Sequence, residues 1–127
     1  MFLDSEISDA DAARYSLLLI GGAEANLVAR KLGRVDIAAD HVTIQGRSFA
    51  ANGARVQAIY PNPLNPQRYV LLVGASSAGA LSLWNPDRLR DADFDFVIED
   101  SRIPDGSERV LPSQMQVAGG WFDHRWQ

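Results

Sequence analysis

Tyr60-Pro61-Asn62-Pro63-Leu64-Asn65-Pro66-Gln67-Arg68-Tyr69, followed at once by Val70-Leu71-Leu72-Val73-Gly74, decides how this chain is read. Three of its six prolines fall within six residues, between two runs that read as core strands. Each proline fixes φ near −65°, removes a backbone donor and pushes the preceding residue away from helix. Asn62 and Asn65 both precede a proline, so their backbones are expected to be extended with their amides available to the loop. The segment is too short for a parallel crossover. Tyr60 and Tyr69 therefore either flank an antiparallel hairpin or end strands at different sheet positions.

Outward from this block, Val56 to Tyr60 and Tyr69 to Val73 read as two core strands. Leu17-Leu18-Leu19-Ile20, ended by Gly21-Gly22, reads as a buried parallel strand. Ser8-Asp9-Ala10-Asp11 has capping-box spacing and opens a helix from Asp9 to Tyr15. Ala25, Val28, Ala29 and Leu32 recur at helical spacing between Ala23 and Leu32, and Gly33 stands where a C-cap belongs. Val42-Thr43-Ile44 and Arg47-Ser48-Phe49 around Gln45-Gly46 predict a small hairpin. A short helix over Ser76 to Trp84, stopped by Asn85-Pro86, precedes a strand at Phe94 to Ile98. Val117 to Phe122 is either a last strand or an ordered tail, and Asp100 to Pro112 is the most loop-like stretch. This order predicts a three-layer α/β fold with a mainly parallel, Rossmann- or flavodoxin-like sheet and a β-hairpin insertion.

With 127 residues, 46% of them hydrophobic and 22% charged, the chain is expected to be one soluble domain. A net charge of −4 argues against nucleic acid as a partner, because phosphate binding requires a basic stripe. The absence of cysteine excludes disulfides and thiolate metal sites and leaves the compartment undetermined. Apolar runs of about five residues are far short of a membrane span, and Met1 to Glu6 lacks the features of a signal peptide. Neither His41 nor His124 has a partner at metal-ligand spacing, so no metal or cofactor is expected.

Gly74-Ala75-Ser76-Ser77-Ala78-Gly79 lies between strand and helix, as a hydrolase nucleophile elbow does. Ser76, Asp100 and His124 fall in the chain order Ser, Asp, His. Ala78, however, occupies the second glycine position, and the alternative is a plain turn with Ser76 or Ser77 capping the helix. Gly21-Gly22 sits where phosphates are held at helix N-termini, yet the third glycine of a dinucleotide fingerprint is missing and Glu24 opposes an anion. A small-ligand site there is weighed against a simple tight turn.

Two readings of the Pro-Asn loop stand side by side. Either its asparagines bond their own backbone, or Tyr60, Asn62, Asn65 and Arg68 form a surface for a neighbour. The tail Gly119-Gly120-Trp121-Phe122-Asp123-His124-Arg125-Trp126-Gln127 likewise either docks on the chain's own sheet or offers Trp121 and Trp126 to an interface.

Together these pieces resemble the C-terminal α/β domain that follows the catalytic domain in bacterial esterases and prolyl-oligopeptidase-like α/β hydrolases. The resemblance is carried by the Tyr60 to Val70 block, by Leu17 to Gly21 with Asn26, by Asp95-Phe96-Val97-Ile98, and by Gly120-Trp121-Phe122-Asp123 with Trp126. It runs from about Asp4 to Gln127. Ala23 stands where proline is expected, and the segment around Gly33 to Val35 is short. What the resemblance implies is a single non-catalytic accessory or interaction domain, as part of a larger hydrolase or as a separate chain. Its partner would be the catalytic domain that carries the Ser-Asp-His machinery, and no site residue carries over.

Overall fold

The Pro-Asn block is a hairpin. In the computed structural model, which describes residues 2–82, 94–100, 116–123 and 125, strands β5 (Arg55–Asn62) and β6 (Asn65–Ala75) pair antiparallel. Pro63 and Leu64 form the turn, and neither has a positive φ. Such a turn does not match the twist of paired strands as the usual hairpin turns do. The register shifts beside it, from Pro61 opposite Tyr69 to Asn62 opposite Asn65, and leaves Pro66, Gln67 and Arg68 in a bulge. Pro61 is tolerated for a related reason. Ile59 N–H points to the β7 side of β5, where it reaches Asp95 O at 2.8 Å. Pro61 faces the same way, beyond the last residues that pair with β7.

Around this hairpin lies a five-stranded sheet in the order β1 (Leu17–Ile20), β6, β5, β7 (Phe96–Glu99), β8 (Gln116–Gly120). Only β1 and β6 are parallel neighbours; the other three pairings are antiparallel. A separate antiparallel sheet is formed by β2 (Val35–Ile37), β3 (His41–Ile44) and β4 (Arg47–Ala50). The fold is thus mostly β, and the expected three-layer, mainly parallel Rossmann-like arrangement is incorrect. The cause is the two-residue turn, which forces the two longest strands antiparallel.

Local readings fared better. Helix α1 (Asp9–Arg14) starts at Ser8, whose Oγ accepts from Asp11 N while Asp11 Oδ2 accepts from Ser8 N. Helix α2 (Leu27–Leu32) is shorter than expected. Asn26 caps its start, and Gly33 at φ 61° closes its end. Gln45 and Gly46, both at positive φ, make the expected tight turn between β3 and β4, while β2 joins them unanticipated. Helix α3 (Ala78–Ser82) lies against β6; the expected stop at Asn85-Pro86 and most of the loop from Asp100 to Pro112 lie outside the described residues.

The core fills the space between one face of the five-stranded sheet and the layer made by α2 and the small sheet. Leu19, Val70, Leu72, Val56, Ala58, Tyr60, Phe96 and Ile98 meet Val28, Leu32, Val35, Ile37, Val42 and Ile44 there. Gly74 permits the closest approach. A Cβ on it would stand 2.5 Å from Ile37 Cδ1.

Candidate functional site

Alternation along the strands assigns the opposite sheet face. In register across β1, β6, β5 and β7 it carries Leu18 and Ile20, then Tyr69, Leu71 and Val73, then Arg55, Gln57 and Ile59, then Val97 and Glu99. Val73 and Arg55 are buried, as is Ala80 of α3, the helix that lies against β6. The rest is open or half-buried. Leu18 is 62% exposed, Ile20 52%, Tyr69 48% and Ile59 39%. Gln57, Ile59, Leu71, Val97, Phe94 and Asp95 are among the residues lining a groove of about 210 Å³ on this side. Near it Trp121, 64% exposed, meets the Phe94 ring edge-on at 4.8 Å. Asp95 Oδ2 accepts from Phe122 N at 2.9 Å and fixes the start of the tail. Phe122 stacks on Phe96 at 5.4 Å. The tail thus docks on its own sheet through Phe122, and Trp121 is exposed beside Phe94. Trp126 lies outside the described residues.

The other residues of the Pro-Asn surface divide. Asn62 is fully buried and Tyr60 nearly so. Asn62 Nδ2 donates to Ala12 O at 2.6 Å, Asn65 Nδ2 donates to Ala13 O at 2.9 Å, and Tyr69 N donates to Ser16 Oγ. Ala12 and Ala13 are in the last turn of α1, whose carbonyls have no partner within the helix. The two asparagines supply those partners. Their own Oδ1 atoms accept from Leu64 N and Gln67 N, which shapes the hairpin tip. Only Arg68, in the bulge, remains outward. Burial, with Arg34's charge partly offsetting it, pushes the Tyr60 phenol up to about 12.

At the Gly21-Gly22 turn, Gly21 takes φ 97° and its N–H reaches Val73 O. The helix start that follows is already occupied. Asp4 Oδ2 accepts from Leu27 N at 2.6 Å, Asn26 Oδ1 accepts from Ala29 N, and Arg30 holds the carbonyls of Ala23 and Glu24. A carboxylate of the chain itself sits where an anionic ligand would bind.

Ser76 and Asp100 stand on opposite sides of β5. Ser76 N donates to Ala54 O, and Asp100 Oδ2 accepts from Asn52 N at 3.4 Å. Ala75 and Glu99 both register with Arg55, so the strands carrying the two residues are about 9.5 Å apart. Ser77 Oγ accepts from Ala80 N and caps α3, and His124 lies outside the described residues. His41 Nδ1 meets Asp40 Oδ1 at 2.7 Å, a contact that lowers the Asp40 pKa. Among the described residues no group of three metal-ligating side chains converges, and no helix is long and apolar enough to cross a membrane.

Compared with family models, curated proteins and solved structures, the chain matches none. The open sheet face was the feature least visible in the sequence. Its signal was the uninterrupted apolar character of Leu17–Ile20 and Val70–Val73, which gives a strand two apolar faces.

Proposed function

We propose that this chain is a non-catalytic accessory domain that binds an α/β-hydrolase-type catalytic domain, of the bacterial esterase or peptidase kind, through the open face of its large sheet. One observation carries the reading: Leu18, Ile20, Ile59 and Tyr69 form an exposed apolar surface on a sheet whose other face is a packed core. Contiguous apolar exposure of this sort marks an interaction surface, and Trp121 beside the groove adds an aromatic anchor. The partner's class comes from the resemblance of the Tyr60 to Val70 block. Tyr60 and Asn62, offered by the sequence as contact residues, are buried and take no part in this surface.

Two measurements test this reading. The chain alone, assayed with a nitrophenyl ester, is expected to give no turnover above buffer, and Ser76→Ala to change nothing. Mixed with the hydrolase catalytic domain encoded with or beside it, the chain is expected to co-sediment as a complex that Ile59→Asp weakens. Turnover lost on replacing Ser76, or the absence of any complex, contradicts the proposal.

A further inference from the structure

We infer that Asn52-Gly53 is a self-modification site, where the Gly53 nitrogen attacks the Asn52 side-chain amide and converts the residue to aspartyl and isoaspartyl forms; the inference stands apart from the accessory-domain reading. The two residues make the turn that connects β4 to β5, and so join the small sheet to the large one. Asn52 is exposed, and among the described residues no hydrogen bond is made by its carboxamide. Gly53 stands at φ 62° with no side chain to shield its nitrogen. Its N–H reaches Ala39 O at 3.4 Å, long for a bond that would hold it back from reaction. The four other asparagines lack this combination. Asn62, Asn65 and Asn85 precede prolines, whose nitrogens have no proton to lose. Asn26 precedes Leu27, and its amide is held at both ends, with Ala29 N donating to Oδ1 at 2.9 Å and Nδ2 donating to Ile20 O at 3.2 Å.

The reaction balances with water alone. The Gly53 nitrogen gives its proton to solvent base and bonds to Asn52 Cγ; the Cγ–Nδ2 bond breaks, and ammonia leaves carrying a proton returned by solvent. The cyclic imide then adds water at one of its two carbonyls. Opening at Cγ restores the main chain with an aspartyl side chain. Opening at the main-chain carbonyl routes the backbone through Cγ, one carbon longer. Nothing is oxidised or reduced. The longer backbone fits poorly between its neighbours. Ala51 is 1% exposed and Ala54 0%, and both are pinned, with Ala51 N donating to Asp40 O at 3.0 Å and Ala54 O accepting from Ser76 N at 2.9 Å. Either product also brings a negative charge to a turn where Asp100 Oδ2 already lies 3.4 Å from Asn52 N. Modification therefore loosens the joint between the two sheets.

Peptide mass spectrometry of the folded chain, aged in mildly alkaline buffer and digested with trypsin, tests this against an end-capped synthetic octapeptide, Ser48–Arg55. Cleavage after Arg47 and Arg55 isolates Asn52 in a peptide with no other Asn or Gln. That peptide is expected to gain about 1 Da and to split into two isomers, at a rate within about tenfold of the free octapeptide. Aged protein is expected to melt at least about 3 °C lower than fresh protein. Asn52→Gln, whose longer side chain closes the ring far more slowly, is expected to keep its melting temperature through the same treatment. Conversion more than about tenfold slower than in the octapeptide means that the fold shields Gly53, and it overturns the inference. Conversion without loss of melting temperature, or an equal loss in Asn52→Gln, overturns the loosening of the joint.

Discussion

Asn62 Nδ2 lies 2.6 Å from the carbonyl oxygen of Ala12, a contact across 50 positions of sequence that ties the tip of the longest hairpin to the end of the first helix. Asn62 is fully buried, and its carboxamide is used at both ends, with Leu64 N donating to Oδ1. Asn65 repeats the arrangement at the rim, to Ala13 O and from Gln67 N.

Asn62→Ala is expected to destabilise the chain by about 2–3 kcal/mol, because it leaves the carbonyl of Ala12 and the amide of Leu64 without their partner. Asn65→Ala, in a wetter setting, is expected to cost about 1 kcal/mol. Urea denaturation with unchanged m-value measures both. Equal effects at the two positions would mean that burial does not set the cost.

Gly74→Ala is expected to cost about 1–3 kcal/mol through overpacking, since the new methyl would stand 2.5 Å from Ile37 Cδ1. Ile37→Val removes that atom and by itself costs about 1 kcal/mol. In the double variant the two losses are expected to be less than additive by thermal denaturation, as they share one contact. Strict additivity would place the strain elsewhere.

Arg55 and Glu99 form an ion pair of 3.2 Å between the central strand and β7, with their side chains only 4% and 14% exposed. Removing the carboxylate takes away a charge-assisted contact of a buried guanidinium, so Glu99→Gln is expected to lower stability by about 1.5–3 kcal/mol. Replacing both with apolar residues of similar size is expected to recover most of that loss. Chemical denaturation of the single and double variants provides the comparison.

Tyr60 predicts an alkaline limit. Its phenol is pushed up to about 12 in the fold, against an ordinary value of 10.0, because burial opposes the phenolate. The folded chain therefore binds the proton more tightly than the unfolded chain. Stability from this group is fully present below pH 10 and is lost as pH climbs from 10 to 12, by on the order of 2 kcal/mol. Tyr60→Phe is expected to be less sensitive over that interval than wild type, measured as the difference in urea midpoints. Identical alkaline profiles would contradict the assignment.

The sequence disclosed the pieces with local causes. Ser8 with Asp11, Gly33 and Gln45-Gly46 each act within a few residues, so two caps and a tight turn were legible from spacing alone, whereas Asn26, inside the expected helix span, caps its start. Sheet topology was not. It hinged on whether Pro63-Leu64 closes a hairpin, and the prolines signalled rigidity without direction. Leu17–Ile20 misled for a related reason. Two apolar faces suggest burial on both sides, whereas β1 is an edge with Leu18 and Ile20 open. The asparagines of the Pro-Asn block admit two readings from sequence alone, because the carbonyls of Ala12 and Ala13 that they meet are about fifty residues away.

Isothermal titration of the proposed partner, a hydrolase catalytic domain, with this chain at several temperatures is the most direct test. The account predicts saturable binding with a clearly negative heat-capacity change, as burial of the Leu18, Ile20, Ile59 and Tyr69 surface requires, and loss of at least about tenfold in affinity for Ile59→Asp. Binding with no heat-capacity change, or with full affinity retained by Ile59→Asp, would contradict it.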